Sequence, residues 1–201
     1  MKKVAVLVSG GGTNLQALID AGIEIKLVIS SKADAYALKR AQNNNIKTSV
    51  VPWADFKPNR KDFSLEILRL LNEHGIDLVV YAGFMVILDE CVVKAFPNKM
   101  LNVHPSLLPA FGGEGYYGLK VHEAALARGV KLSGATVHFV NEICDGGAII
   151  LQKAVEVKDG DTPESLQKRV MEAEREILPQ AVALFCEEKI EVINNRVSVK
   201  D

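Results

Sequence analysis

The chain has 201 residues, 48% of them hydrophobic and 24% charged, with 15 Gly and 7 Pro; at about 150 residues per domain this is one ordinary globular domain, and disordered or collagenous chains are excluded. The 24 Lys and Arg against 25 Asp and Glu leave a formal charge of -1, so no global field draws in nucleic acid or an anionic membrane, and any anion needs a local site. Cys91, Cys144 and Cys186 are odd in number and contain no C-x-x-C pair, which argues against a disulfide framework or a zinc knuckle and fits a reducing cytoplasm.

The β-branched run Val4 to Val8 ends at polar Ser9, too short for a secretory core, and predicts a first strand covered on both faces. SGGGTNLQALIDAG then reads as a glycine turn and a short helix. Ile25 to Ile29 repeats the strand pattern, Ala33 to Asn44 predicts a helix, and Thr48 to Val51 a third strand ending at Pro52. Arg60 to His74 carries Phe63, Ile67, Leu70 and Leu71 at helical spacing before Gly75. Leu78 to Tyr81 predicts a fourth strand; the apolar stretch from Leu78 to Leu88 is interrupted by Gly83 and is well below the ~20 residues of a membrane span.

A short helix is expected near Asp89 to Phe96, and Met100 to Val103 predicts a fifth strand leading into HPSLLP. Gly112 to Gly118, with four glycines, reads as a mobile loop, and Leu119 to Arg128 as a helix. Ala135 to Val140 and Ala148 to Val157 are β-rich runs joined by NEICDGG and are expected to pair antiparallel. Thr162 as cap and Pro163 at the first helical position start a last helix that Pro179 should kink or break. Small strands are expected after Lys189. No repeat or linker interrupts the chain, so residues 1–201 read as a single α/β domain, a doubly wound, mixed and mostly parallel sheet.

Three places carry chemistry. Gly10 to Asn14 offers backbone N–H groups, a hydroxyl and a carboxamide at a helix start, which suits a phosphomonoester; otherwise it is a tight turn. No Lys completes a Walker motif, and Leu15 stands where a dinucleotide fingerprint has its last glycine. In LNVHPSLLP, Asn102 and His104 leave one face of a strand near its carboxyl end, where open α/β sheets bind ligands. A carboxamide that can donate to an oxyanion beside an imidazole that exchanges protons near neutral pH suits acyl or formyl transfer; the alternative is a pair that fixes the prolyl turn. Asp145, in CDGG, lies on a glycine turn from which it can partner His104 and, through a water, carry a proton from an attacking amine. His74, His122 and His138 lack metal spacing and read as packing or surface residues, His138 being the one expected behind the site; no metal is expected. With no G-x-S-x-G elbow and no activated cysteine, the nucleophile should come from the substrate. The segment from Tyr81 to Leu88 reads as buried strand and turn, or as the wall of a flat pocket for an aromatic cofactor.

The phosphate loop, AGFM, LNVHPSLLP, the loop ending YYG, GATVHFV and DGG occur in one order along nearly the whole chain. That series resembles the glycinamide ribonucleotide formyltransferase family of purine synthesis. The resemblance implies a cytoplasmic enzyme with a Rossmann-like mixed sheet, in which the amine of glycinamide ribonucleotide attacks the formyl carbon of the co-substrate 10-formyltetrahydrofolate. It implies Asn102, His104 and Asp145 as the catalytic trio. It implies Gly12, Thr13 and Asn14 at the phosphate, Arg60 as a helper and Glu174 at the ribose. Met85, Val86, Leu88, Leu101 and Val140 are implied at the folate, several through backbone groups. It implies small-molecule partners, with neither nucleic acid nor membrane, in a monomer or a homodimer.

Three positions depart from the family's pattern: Val86 where relatives often carry Arg, Gly112 where many have Pro, and Met171 in place of a polar residue that helps at the phosphate. Formyltetrahydrofolate deformylases share the trio, use water as acceptor and usually carry an N-terminal regulatory domain, whereas here a strand is expected at once. Methionyl-tRNA formyltransferases share the SLLP region but add a C-terminal tRNA domain, for which this chain is expected to have no room. A non-catalytic phosphosugar-binding module would need the glycine loop alone.

Overall fold

Five successive residues without exposure, Val4–Val8, form β1 in the computed structural model, which describes residues 2–200. A strand this apolar along its whole length has both faces covered. The chain divides into two compact units, Met1–Leu101 and Asn102–Asp201.

In the first unit β1 lies between β2 (Ile25–Ser30) and β4 (Leu78–Tyr81), and β3 (Thr48–Val50) pairs with β2, all parallel. The connections are helical: α1 (Thr13–Asp20), α2 (Tyr36–Asn43), then α3 (Trp53–Phe56) and α4 (Arg60–Glu73). Helix α2 begins at Tyr36 and not at Ala33. Ser30 Oγ bonds both Lys32 N–H and Lys32 C=O, and Ala35 N–H bonds Lys32 C=O, so the residues before Ala35 are held in a turn. The single turn of α3 has no signal in the sequence, because four residues carry no period. It is made by packing, with the rings of Trp53 and Phe56 edge-on to buried Phe63 at 5.1 and 5.6 Å. Helix α4 is capped by Asn59, whose side chain accepts from Asp62 N–H, and stops before Gly75 at φ +58. Helix α5 (Glu90–Ala95) is capped by Asp89.

Strand β5 (Met100–His104) crosses the boundary between the units. In the second unit β6 (Leu132–Phe139) and β7 (Ile149–Glu156) pair antiparallel as expected, with α6 (Leu119–Arg128) before them and α7 (Pro163–Cys186) after. β6 starts three residues ahead of the expected Ala135, because Leu132, Ser133 and Gly134 continue the ladder opposite Glu156, Val155 and Ala154. The ladder requires glycine at 134: a Cβ there would sit 2.2 Å from the Lys153 carbonyl oxygen.

Of the kink or break expected at Pro179, the break does not occur: α7 runs through it to Cys186. Pro179 lies on a buried stretch with Leu178, Ala181 and Val182. That packing outweighs the roughly 3 kcal/mol that an interior proline costs. The start of α7 is as expected, with Thr162 and Ser165 bonding each other's backbone and Pro163 at the first position. The small closing strands are β8 (Ile190–Ile193) and β9 (Arg196–Val199), joined through Asn194 and Asn195, both at positive φ.

Hydrogen bonding links the seven larger strands in the order β3-β2-β1-β4-β5-β6-β7, with β8-β9 a separate pair. The expected α/β class with a mixed, mostly parallel sheet is the class observed.

Candidate active site

At the carboxyl end of β5, Asn102 and His104 alternate with the buried Leu101 and Val103. The chain leaves β5 through a turn held by one hydroxyl. Thr136 on β6 donates to Ser106 C=O at 2.7 Å and accepts from Leu108 N–H at 3.0 Å, while Gln152 on β7 donates to Leu108 C=O and to Thr136 Oγ1, both at 3.0 Å. Ser106 donates to Ala110 C=O at 2.6 Å, and the Leu108–Pro109 peptide is cis. Fixing this turn fixes the Phe111 carbonyl, which accepts from His104 Nε2 at 2.8 Å. That bond places a proton on Nε2 and turns Nδ1 toward the third expected residue.

Asp145 arrives from the β6–β7 connection in a left-handed conformation, φ +55. Two glycines make that approach possible. A Cβ at Gly147 would lie 1.7 Å from the Phe139 carbonyl oxygen, and one at Gly146 would lie 2.6 Å from the Ile143 side chain. The Asp145 carboxylate then stands 3.4 Å from His104 Nδ1 through Oδ2, and 3.5 Å from Asn102 Nδ2 through Oδ1. Gly113 N–H, in the glycine-rich loop, donates to Oδ2 at 2.9 Å. The structure therefore brings Asn102, His104 and Asp145 together.

His138 joins them. A register shift between Val137 and His138 redirects β6 there, and His138 Nε2 stands 3.5 Å from Asp145 Oδ1 and 3.2 Å from Asn102 Nδ2. Its Nδ1 bonds Phe139 C=O at 2.8 Å, so Nδ1 carries a proton. His138 thus touches Asn102 and Asp145 from behind. His122, read as packing or surface, is buried on α6, and its Nδ1 has no hydrogen-bond partner among the described residues.

Burial decides the electrostatics of the imidazoles. It pushes His104 below its ordinary value, against the carboxylate of Asp145 and the Phe111 bond, which pull it up. His122 is pushed down to about 4, by burial first and by His104 second. Asp145 is held below the usual carboxylate range: burial raises it, but His138, His104 and the Gly113 N–H together win. The site thus holds a carboxylate beside a neutral imidazole that can take up a proton and be stabilised as it does so. The neighbouring Cys144 thiol is pushed up to about 11 by burial and by Asp145, which leaves it unactivated. A cavity of about 410 Å³ lies beside Asp145, walled by Leu108 and Pro109 on one side and by Asn195 to Val197 of the closing hairpin on the other.

In the first unit, Gly12 caps α1 in the left-handed conformation, φ +72, and Thr13 and Asn14 open the helix. Arg60 is exposed at the first position of α4. Of the residues expected at the folate, Met85 is 54% exposed and Leu88 is buried. Leu101 has no exposure, neither in its side chain nor in its backbone. Val140, in the second unit, follows β6 and is half-buried; Glu174 is buried on α7. Among the described residues no group of three His, Cys, Asp or Glu is placed to hold a metal ion, and no helix is long and apolar enough to cross a membrane.

The profile of the formyl transferase family matches residues 2–182. The chain belongs to that family. It is 42% identical, over 94% of its length, to the chloroplastic phosphoribosylglycinamide formyltransferase of Arabidopsis thaliana. It is 41% identical, over 97%, to the phosphoribosylglycinamide formyltransferase of Haemophilus influenzae. It is 44% identical, over 94%, to part of the trifunctional purine biosynthetic protein adenosine-3 of Gallus gallus. The chain spans 67% of the Arabidopsis protein, 92% of the Haemophilus protein and 19% of the trifunctional one.

Among solved structures, glycinamide ribonucleotide transformylase 1 of Symbiobacterium toebii superposes with a TM-score of 0.94 at 42% identity, over 100% of this chain and 95% of that one. A formyltetrahydrofolate deformylase of Pseudomonas syringae pv. tomato reaches 0.90 at 29% identity, over 100% of this chain and 66% of that one. The formyl transferase membership and the fold expected from the motif order stand.

Proposed function

We propose that this chain transfers the formyl group of 10-formyltetrahydrofolate to the amine of glycinamide ribonucleotide, residues 1–201 acting as one formyltransferase domain. The observation that carries the chemistry is the contact set of Asn102, His104 and Asp145, with one carboxylate 3.4 Å from the imidazole and 3.5 Å from the carboxamide. The choice of acceptor rests on relatives of this name aligned over nearly the whole chain, at higher identity than the deformylase.

In this reading the amine lone pair attacks the formyl carbon and the carbonyl electrons move to oxygen. Asn102 faces the developing oxyanion, turning to it the amide N–H that stands 3.5 Å from Asp145, and His104 stabilises it through the charge the imidazole gains on taking up a proton; a stabilising group of this kind is worth about 100-fold or more in rate. The proton lost by the amine passes through water to Asp145 and His104, the imidazole taking it up at Nδ1, where the carboxylate stands. Collapse breaks the bond to the folate nitrogen, which takes the proton as tetrahydrofolate leaves. Gly12, Thr13 and Asn14 hold the phosphate at the start of α1 with Arg60 assisting, and Glu174 takes the ribose. Met85, Val86, Leu88, Leu101 and Val140 meet the folate. Val86 offers no cation there, so this contact is apolar. The reaction belongs in the cytoplasm and needs no metal.

The test is folate absorbance during incubation with 10-formyltetrahydrofolate, with and without glycinamide ribonucleotide. The expected result is tetrahydrofolate release that requires the ribonucleotide. Release at the same rate without it makes water the acceptor and the protein a deformylase; no release in either arm leaves a phosphosugar-binding module.

A further inference from the structure

We infer that Arg40, on α2, is a positioning residue for the anion loop: it holds the peptide groups of Gly10 to Gly12 so that their N–H bonds face the phosphate. The inference rests on the reading of that loop as the phosphate site.

The loop is clamped from α2 at three points. Ala37 N–H bonds Gly10 C=O at 3.0 Å, and Arg40 Nε–H bonds Gly11 C=O at 2.8 Å. The third point is steric: a Cβ at Gly12 would lie 2.6 Å from Ala37 Cβ, so α2 rests directly on the loop backbone. In a trans peptide the C=O of one residue and the N–H of the next point in opposite directions. With both carbonyls turned toward α2, the N–H groups of Gly11 and Gly12 point away from it. Gly12 C=O accepts from Gln16 N–H at 2.9 Å, as the first bond of α1, so Thr13 N–H points out of the helix start. Ala37 alone can orient one of these peptides; the second depends on the Arg40 side chain.

Arg40 is itself held in place. Its Nη1 donates to Gln16 Oε1 at 3.1 Å, and the Gln16 amide nitrogen bonds Asp20 at 2.8 Å, which fixes the orientation of that carboxamide. The guanidinium also lies over the Tyr36 ring, 5.1 Å from its centre. These contacts are all with neutral groups, so the positive charge behind the loop is uncompensated by any of them and adds to the attraction for a phosphate dianion. A lysine has the charge without the fork that reaches Gly11 and Gln16 together.

The experiment compares wild type with Arg40→Lys and Arg40→Met, measuring kcat, KM for each substrate and inhibition by inorganic phosphate against the ribonucleotide. Both variants are expected to raise KM for the ribonucleotide and the phosphate inhibition constant in parallel, about tenfold, the scale of one lost charge-assisted hydrogen bond. kcat should stay within about threefold and KM for the folate should not move, since neither depends on the loop amides. Arg40→Gln, with a thermal melt, replaces the Met variant if that one does not fold.

An unchanged KM for the ribonucleotide in folded variants overturns the inference, and so does full rescue by Lys, which would leave a role for charge and none for position. A wild type that turns over the ribonucleotide without competition from phosphate refutes this inference and spares the formyl transfer reading. A wild type inhibited by phosphate but inactive on the ribonucleotide does the reverse, provided the variants weaken phosphate binding.

Discussion

His104 is the residue on which most of the chemistry converges, and its geometry assigns its state. With Nε2–H donated to Phe111 C=O at 2.8 Å and burial holding the ring below its ordinary value, the resting imidazole is neutral at pH 7, and its Nδ1 lone pair faces Asp145. Replacing His104 by Ala removes both the proton acceptor and a partner of the oxyanion, and turnover should fall at least ~100-fold; steady-state rates within a few-fold of wild type would remove the residue from the mechanism. The carboxylate opposes burial, so Asp145→Asn should lower the His104 value further, because the charge that favours imidazolium is gone. A titration of the ring by NMR reads this directly, and an upward shift in the variant would mean that Asp145 does not act on His104 as drawn. The pair Asn102 and His104 was legible because strand alternation alone puts them on one face. Asp145 was legible as a turn residue able to partner His104, and its place in a trio with Asn102 came from the resemblance. His138 was legible as a residue behind the site, but its contacts with Asn102 and Asp145 were not, since they depend on a register shift between Val137 and His138 that no local pattern marks.

At the scale of elements, the β6–β7 connection is what carries Asp145 to the site, and its tightest point is Gly147. A Cβ 1.7 Å from the Phe139 carbonyl oxygen is possible only if the turn opens, and Phe139 N–H bonds Ala148 C=O at 2.9 Å across that same turn. Gly147→Ala should therefore cost at least about 2 kcal/mol of stability and most of the activity together; urea unfolding and turnover equal to wild type would show that the turn has slack. The same close-packing logic explains where sequence reading of elements succeeds and stops. Long periodic segments such as Arg60 to Glu73 and continuous apolar strands such as Val4 to Val8 carry their own signal and match the structure within a residue or so. The short turn Trp53–Phe56, the early start of β6 at Leu132 and the passage of α7 through Pro179 are decided by contacts with distant residues, which override local propensity.

For the molecule as a whole, the near-zero net charge means that its response to pH is set by particular buried groups and not by global repulsion. His104 and His122 are both buried and both held below their ordinary value, His122 at about 4. A histidine in the unfolded chain binds its proton near pH 6.5. Between that pH and about 4 the unfolded state therefore holds a proton on His122 that the folded state does not, so stability rises with pH and is lost on acidification. The carboxylates act in a lower window: Asp145 and Asp161 are depressed by their partners, and their contribution, complete above the unfolded carboxylate range near pH 4, is lost only as pH falls through their folded values. Acid destabilisation should thus begin well above the carboxylate range. Urea unfolding at pH 7, 5.5 and 4.5 measures it, and His122→Asn isolates one group. The variant loses packing at every pH, so the slope with pH is the quantity to compare, and it should be shallower than wild type by up to about 1.4 kcal/mol per pH unit across this window. Equal slopes would mean that His122 takes up its proton in the folded protein without cost, and that its unpartnered Nδ1 finds an acceptor when it does.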